Sequence, residues 1–276
     1  MSITHKILVP TDFSGPAKNA LDYAAVLAKH SNAELHLIHV FHIPVIDPYM
    51  PGDTTEAMIE ETKKAATLQM ETLKSGLTNL NVFIDIKLGF VIDDVVDYCE
   101  EHKIDLIVMG TTGASGLKEI FFGSVASGII EKAKVKVIAV PEEYTDNRLP
   151  KTMVYAADFT DNEEVILTSL CLLAKEWDAH LTVLHVASDE PVFTAAPPNV
   201  LFEELMQKIN CTKADFTKIT DNDVVEAIIK FVSDSGSDML CMAMHKRNLF
   251  EKMFHKSKTK SVAHQIEIPL LSLHKH

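Results

Sequence analysis

The sequence predicts two α/β domains in tandem, each a doubly wound parallel sheet, and three observations carry that expectation. The chain has 276 residues, more than one core of about 100–200 residues fills. A set of short apolar runs occurs twice in the same order, at a period of about half the chain. Between the runs, apolar residues recur at helical spacing.

The first run, Lys6 to Pro10, passes into Thr11, Asp12, Phe13 and Ser14; its counterpart begins at Met153 and passes into Asp158, Phe159 and Thr160. Glu34 to Val40 is matched by His180 to Val186, and Asp105 to Met109 by Asp238 to Met242. Each half closes on a terminal run, Val135 to Val140 and Ile268 to Leu273. Runs this dense in Val, Ile and Leu, without polar alternation, are how strands covered on both faces of a parallel sheet read.

The helices fall between them. Ser14 is placed to cap a helix with Pro16 just inside and Ala17, Leu21, Ala24 and Ala28 on one face. Asp53 and Glu56 have capping-box spacing ahead of Met58 to Leu73. A third helix spans Asp93 to His102, and a fourth follows Gly123, with Ser124 as its expected N-cap and Val125, Ile129, Ile130 and Ala133 along it. In the second half, Glu164–Trp177, Val200–Ile209, Val224–Asp234 and Lys260–Gln265 take the same slots. Strands alternating with such helices give right-handed crossovers and a Rossmann-like sheet. The polar, proline-bearing stretch Pro141 to Thr152 is the junction, dividing the chain into domains 1–144 and 151–276.

Composition narrows the class. The chain is 47% hydrophobic and 24% charged, as in globular proteins. Its net charge of −13 divides as 12 basic against 20 acidic residues in 1–145 and 14 against 19 in 146–276, so neither half is a nucleic-acid footprint. No apolar stretch reaches signal-peptide or membrane-spanning length. Cys99, Cys171, Cys211 and Cys241 lack CxxC spacing, which indicates neither a zinc site nor a disulfide framework and favours a reducing cytoplasm. His36, His39 and His42 alternate faces along a strand and do not converge on a metal.

The chemistry concentrates after the third apolar run, where four of the chain's ten glycines, Gly110, Gly113, Gly116 and Gly123, lie between Met109 and Ser124. Bare backbone lets a phosphate chain approach amide groups closely, and a helix opening at Gly123 adds its uncapped amides and dipole. The spacing is neither a P-loop nor GxGxxG. A tight strand-to-helix connection is the other account of such a run. The loops Phe41–Gly52 and Ala187–Asn199, each with three prolines, follow the second strand on the edge where ligands settle in doubly wound sheets; they read equally as plain surface loops.

The wording Gly110-x2-Gly113-x9-Gly123-Ser124-Val125, with Pro10-Thr11-Asp12 after the first strand, resembles the ATP-binding branch of the universal stress protein family. The likeness covers residues 4–141 fully and 152–273 as a diverged copy. It implies an adenine nucleotide alpha hydrolase-like fold with five parallel strands in the order 3-2-1-4-5. It further implies pairing through the last strand, either between chains as a homodimer or between tandem halves. It places Pro10, Thr11 and Asp12 beside the nucleoside, the backbone of Val40 at adenine, and Met109, Gly110, Gly113, Gly123, Ser124 and Val125 around ribose and phosphates. ATP with magnesium is the implied cofactor, and an unidentified protein the implied partner. On their own, Asp12 reads equally as a helix-capping residue, and Val40 and Met109 as core residues at strand ends.

The second half departs at each glycine: Ala243, Lys246, Leu249 and Lys256 stand where Gly110, Gly113, Gly116 and Gly123 stand in the first. Ala156 and Ala157 replace Pro10 and Thr11, while Asp158, Val186 and Ser257 are retained. The second half is therefore expected not to bind ATP in this manner. The basic residues from Lys246 to Lys260 read as a solvated face or as side chains in the former phosphate site. No nucleophile elbow or paired Cys and His is evident. Hydrolysis is expected to be slow or absent, with a slow ATPase or phosphotransferase as the alternative to a regulatory protein.

Overall fold

The computed structural model describes residues 4–42, 52–112, 123–159, 163–187, 196–244 and 266–274. Gly113, Gly116, the basic residues from Lys246 to Lys260, the expected helix Lys260–Gln265 and most of the two proline-bearing loops lie outside these.

In the first half, β1 (Lys6–Pro10), β2 (Glu34–Phe41), β4 (Leu106–Gly110) and β5 (Lys136–Val140) are the four apolar runs. They alternate with α1 (Gly15–Ser31), α2 (Gly52–Gly76), α3 (Val91–His102) and α4 (Ser124–Lys132). The second half repeats this with β6 (Thr152–Ala156), α5 (Glu163–Trp177), β7 (His180–Ala187), α6 (Pro198–Ile209), α7 (Val224–Ser235), β9 (Met239–Met244) and β10 (Leu270–His274). Each half holds a fifth strand that is not an apolar run, β3 (Val82–Leu88) and β8 (Ala214–Thr220). These two form the outer edges, and their burial is correspondingly partial and alternating.

All ten strands form one sheet, in the order β3-β2-β1-β4-β5-β10-β9-β6-β7-β8. Within each half the pairing is parallel and the order is 3-2-1-4-5; the halves meet where β5 and β10 pair antiparallel. Ile138 faces Leu271 there, and the two occupy the same place in the repeat, so a local two-fold axis runs between them. Both are fully buried. Strand residues alternate between two apolar layers: α1, α2, α5 and α6 cover one face, α3, α4 and α7 the other. The first layer is continuous across both halves, which makes the junction part of the core.

Matched residues also do matched work. Asp105 Oδ2 accepts from the amides of His5 and Lys6 at 2.8 and 2.9 Å, tying β4 to the start of β1. Asp238 Oδ2 accepts from the amides of Lys151 and Thr152 at the same distances, tying β9 to β6. The cysteine reading needs correction. Cys171 on α5 and Cys211 just beyond α6 form a disulfide, with Cα atoms 6.0 Å apart, while Cys99 and Cys241 are free and buried. A separation of 40 residues across a strand and a helix leaves no spacing signal, because only the packing of α6 on α5 brings the two together.

Candidate functional site

β1 and β4 are neighbours whose following helices, α1 and α4, depart to opposite faces of the sheet, and that divergence opens a crevice at their carboxyl ends. A cavity of about 360 Å³ lies there. Its wall takes Pro10, Thr11 and Asp12 from the end of β1, Val40 from β2, Met109 and Gly110 from β4, and Gly123, Ser124 and Val125 from the start of α4. Nine of the ten residues expected from the sequence thus converge on one space, and Gly113 lies outside the described residues.

The turn that delivers Asp12 is built from the Asp-Phe pair seen in both halves. Phe13 has φ of 65° and Phe159 of 50°, a left-handed conformation that bulky residues rarely adopt. A histidine supports each: the Phe13 ring lies 4.4 Å from His39 and the Phe159 ring 5.7 Å from His185. Nδ1 of His39 bonds the Thr11 carbonyl at 2.8 Å, and Nδ1 of His185 the Ala157 carbonyl at 3.1 Å. His39 therefore serves the backbone here, while His36, on the other face, meets the Tyr98 hydroxyl at 2.9 Å. The described residues contain no cluster of three or more potential metal ligands. Asp12 does not cap α1: Ser14 does, accepting from the Ala17 amide at 3.3 Å, and Oδ1 of Asp12 accepts from the Ser14 amide at 3.0 Å.

The two described glycines differ in why they are bare. A Cβ on Gly110 would stand 3.0 Å from backbone atoms of Pro16, so the close approach of α1 to β4 already favours glycine there. A Cβ on Gly123 would meet only the Thr111 carbonyl oxygen at 3.6 Å and the Thr112 Cα at 3.9 Å, ordinary contacts. Its φ of −63° suits any residue. Among the described residues nothing demands glycine at 123, where the bare backbone lines the cavity. Gly123, not Ser124, is the N-cap of α4, which corrects the sequence expectation; the chain is still extended at 123 and turns helical only at 124. The N-cap has no side chain to bond the first amides, so among the described residues they lack the usual side-chain acceptor, and Ser124 lines the cavity beside them.

Residues not singled out from the sequence complete the wall. Ile38, Val91 and Val95 make one end apolar, with Val91 and Val95 spaced four apart on α3, a helical repeat that gave the only hint of them. Thr111 and Thr112 add hydroxyls at the other end, beside α4. Asp12 and His42 are the sole ionisable side chains among the described lining residues. The cavity can therefore take a flat apolar group at one end and an anion against helix amides at the other.

The equivalent place in the second half is built differently. Ala243 stands for Gly110, and Glu163 for Ala17, which lines the first cavity. Glu163 is buried, with its carboxylate held by the Tyr155 hydroxyl at 2.7 Å and the Phe159 amide at 3.1 Å.

The universal stress protein family model matches residues 4–141 and again 150–274. The chain belongs to the universal stress protein family. Among curated relatives, universal stress protein MJ0531 of Methanocaldococcus jannaschii is 32% identical over 137 residues, covering 49% of this chain and 81% of that protein. Universal stress protein YxiE of Bacillus subtilis is 30% identical over 145 residues, covering 49% of this chain and 98% of its own length. Each thus corresponds to about half of this tandem universal stress protein. A universal stress protein from Archaeoglobus fulgidus shares the fold over 99% of this chain and all of its own, with a TM-score of 0.74 at 16% identity. No helix among the described residues is long and apolar enough to cross a membrane.

Proposed function

We propose that this universal stress protein binds ATP with magnesium in residues 1–144 and acts as a nucleotide-dependent regulator, while residues 151–276 complete the sheet without binding nucleotide. The observation that carries this reading is Gly123, bare in the wall of a cavity although no described residue requires it to be. The adenine would lie among Ile38, Val40, Val91 and Met109, and the phosphates against the amides that open α4 and the hydroxyls of Thr111, Thr112 and Ser124. Asp12 and the Ser124 hydroxyl supply oxygen ligands of the type magnesium takes, so the donor set fits that ion. Bound magnesium would neutralise triphosphate charge, which the described wall does not do with any lysine or arginine of its own.

The same wall argues against efficient phosphoryl transfer, which needs a group to position the attacking oxygen and others to balance developing charge. Occupancy would act by favouring one conformation of the segment between β4 and α4, through differential affinity for its alternatives. This reading keeps the cytoplasm as the compartment on the abundance of ATP and magnesium there, and no longer on the cysteines, since Cys171 and Cys211 are bridged. Equilibrium titration with Mg-ATP followed by single-turnover hydrolysis tests it, on the wild type and on Gly123→Lys. Binding without turnover, abolished in Gly123→Lys, is the expected result. Turnover would make the protein a slow ATPase, and an absence of binding would leave a scaffold.

A further inference from the structure

The local two-fold axis between Ile138 and Leu271 makes two copies of every feature beside it, and one such feature is filled by described residues in only one copy. Beside α1, the linker after β5 crosses a groove. Asn19 Nδ2 donates to the Glu142 carbonyl at 2.6 Å, the Tyr144 ring meets the Tyr23 ring edge-on at 5.8 Å, and Arg148 Nη2 donates to Asp238 Oδ1 at 2.6 Å. The two-fold carries Asp238 onto Asp105, Tyr23 onto Ser169, Asn19 onto Val165 and Pro141 onto His274. Those four residues line a cavity of about 280 Å³ beside α5.

Its chemistry matches the filled copy at the carboxylate, Asp105 for Asp238, and differs around it, where Lys134 and Lys136 add positive charge. Oδ2 of Asp105 is committed to the amides of His5 and Lys6, as Oδ2 of Asp238 is to its own pair, but Oδ1 of Asp105 accepts no hydrogen bond from a described residue. Ser169 in place of Tyr23 leaves the space of an aromatic ring over a floor of Ile104, Ile166 and Leu273. Lys136, half-buried where the filled copy has Pro269, has its charge disfavoured by burial, with Asp105 and Glu176 pulling the other way from beyond ion-pair distance. A groove that presents a carboxylate oxygen, a ring-sized apolar space and a half-buried cation asks for a mixed-charge peptide, as its filled twin already holds.

We infer that the groove between α5 and the amino ends of β4 and β5 docks an extended peptide segment of a partner protein, carrying an arginine for Asp105 Oδ1 and an aromatic residue four positions before it for the space over Ser169. An acidic residue of that segment would meet Lys136. The recognition mode is the one this chain uses on itself, with the spacing of Tyr144 and Arg148. The strongly acidic chain, at −13, also favours approach of an arginine-bearing segment. The site is separate from the nucleotide cavity, at the opposite ends of the strands, and does not depend on ATP.

The probe is a synthetic peptide with the sequence of Pro141 to Lys151, titrated into the full chain by calorimetry. Saturable binding of one peptide per chain is expected. Ser169→Tyr, which fills the space, and replacement of the peptide's arginine by alanine should each weaken it about tenfold or more. Asp105→Asn, which keeps one oxygen for His5 and Lys6, should do the same; if that variant fails to fold, the other two decide. Absence of saturable binding, indifference to Ser169→Tyr or to the peptide's arginine, or loss through Asp238→Asn instead of Asp105→Asn would overturn the assignment.

Discussion

Arg148 in the linker donates to Oδ1 of Asp238 at 2.6 Å, and Asp238 is a carboxylate with only 10% of its side chain exposed. Its other oxygen accepts from the Lys151 and Thr152 amides and from the Thr152 hydroxyl. Burial pushes this carboxyl up, but the hydrogen bonds from Lys151, Thr152 and Arg148 outweigh burial and hold it below the ordinary carboxylate range. A folded value below the unfolded one contributes stability that is complete above about pH 4 and is lost as pH falls through the folded value. Asp238→Asn should cost about 1–3 kcal/mol at neutral pH and flatten the loss of stability in acid. Urea denaturation across the acid range checks both.

Gly110 and Gly123 should respond oppositely to alanine. At Gly110 the new Cβ presses on Pro16 backbone atoms at 3.0 Å, and about 1–3 kcal/mol should be lost to strain. At Gly123 the nearest atom is 3.6 Å away, and stability should hold within about 0.5 kcal/mol while nucleotide affinity falls. Thermal melts without ligand, set beside titrations with Mg-ATP, separate the two roles.

His36 is 4% exposed, bonded through Nδ1 to Tyr98 and 3.5 Å through Nε2 from Glu34. Burial lowers its pKa, with Glu34 pulling the other way. The unfolded chain therefore takes up a proton at higher pH than the folded one, and stability should decline as pH drops from about 6.5 toward the folded value, then level off. His36→Gln should remove that slope between pH 7.5 and 5.5, as followed by denaturant midpoints at both ends.

The Cys171–Cys211 disulfide closes a loop across a sequence separation of 40, which corresponds to about 2–4 kcal/mol of stabilisation. Reduction, or Cys171→Ser, should lower the unfolding free energy by that amount and the denaturant midpoint with it. Mg-ATP affinity in the first half should not change. Denaturation with and without a phosphine reductant measures the first, and titration the second.

The sequence revealed most of the fold because eight of the ten strands are buried on both faces and so appear as unbroken apolar runs. The two it concealed, β3 and β8, are edges: Phe83 and Leu88 lie largely exposed among polar neighbours, so neither strand is an apolar run. Gly123, Ser124 and Asp12 stood out because glycine and small polar residues are conspicuous at a strand-to-helix turn, and all three line one cavity. Ile38, Val91 and Val95 were not, since a residue lining a cavity and one filling a core look alike in sequence. Gly110 was legible for an incomplete reason, its bareness being owed to Pro16 as much as to any ligand. The Cys171–Cys211 bridge and the Asp105 groove arise from packing between elements remote along the chain, and no local pattern announces either.

The seam between β5 and β10 has a bearing on how this molecule behaves on dilution. Single-domain chains that paired through such a seam would separate as their concentration fell, whereas here the strands are tethered by the short segment that follows Val140, at an effective concentration in about the millimolar range. The ten-stranded sheet should therefore stay intact at any cellular abundance, and the cavity at the ends of β1 and β4 would keep a permanent neighbour instead of an exchangeable one.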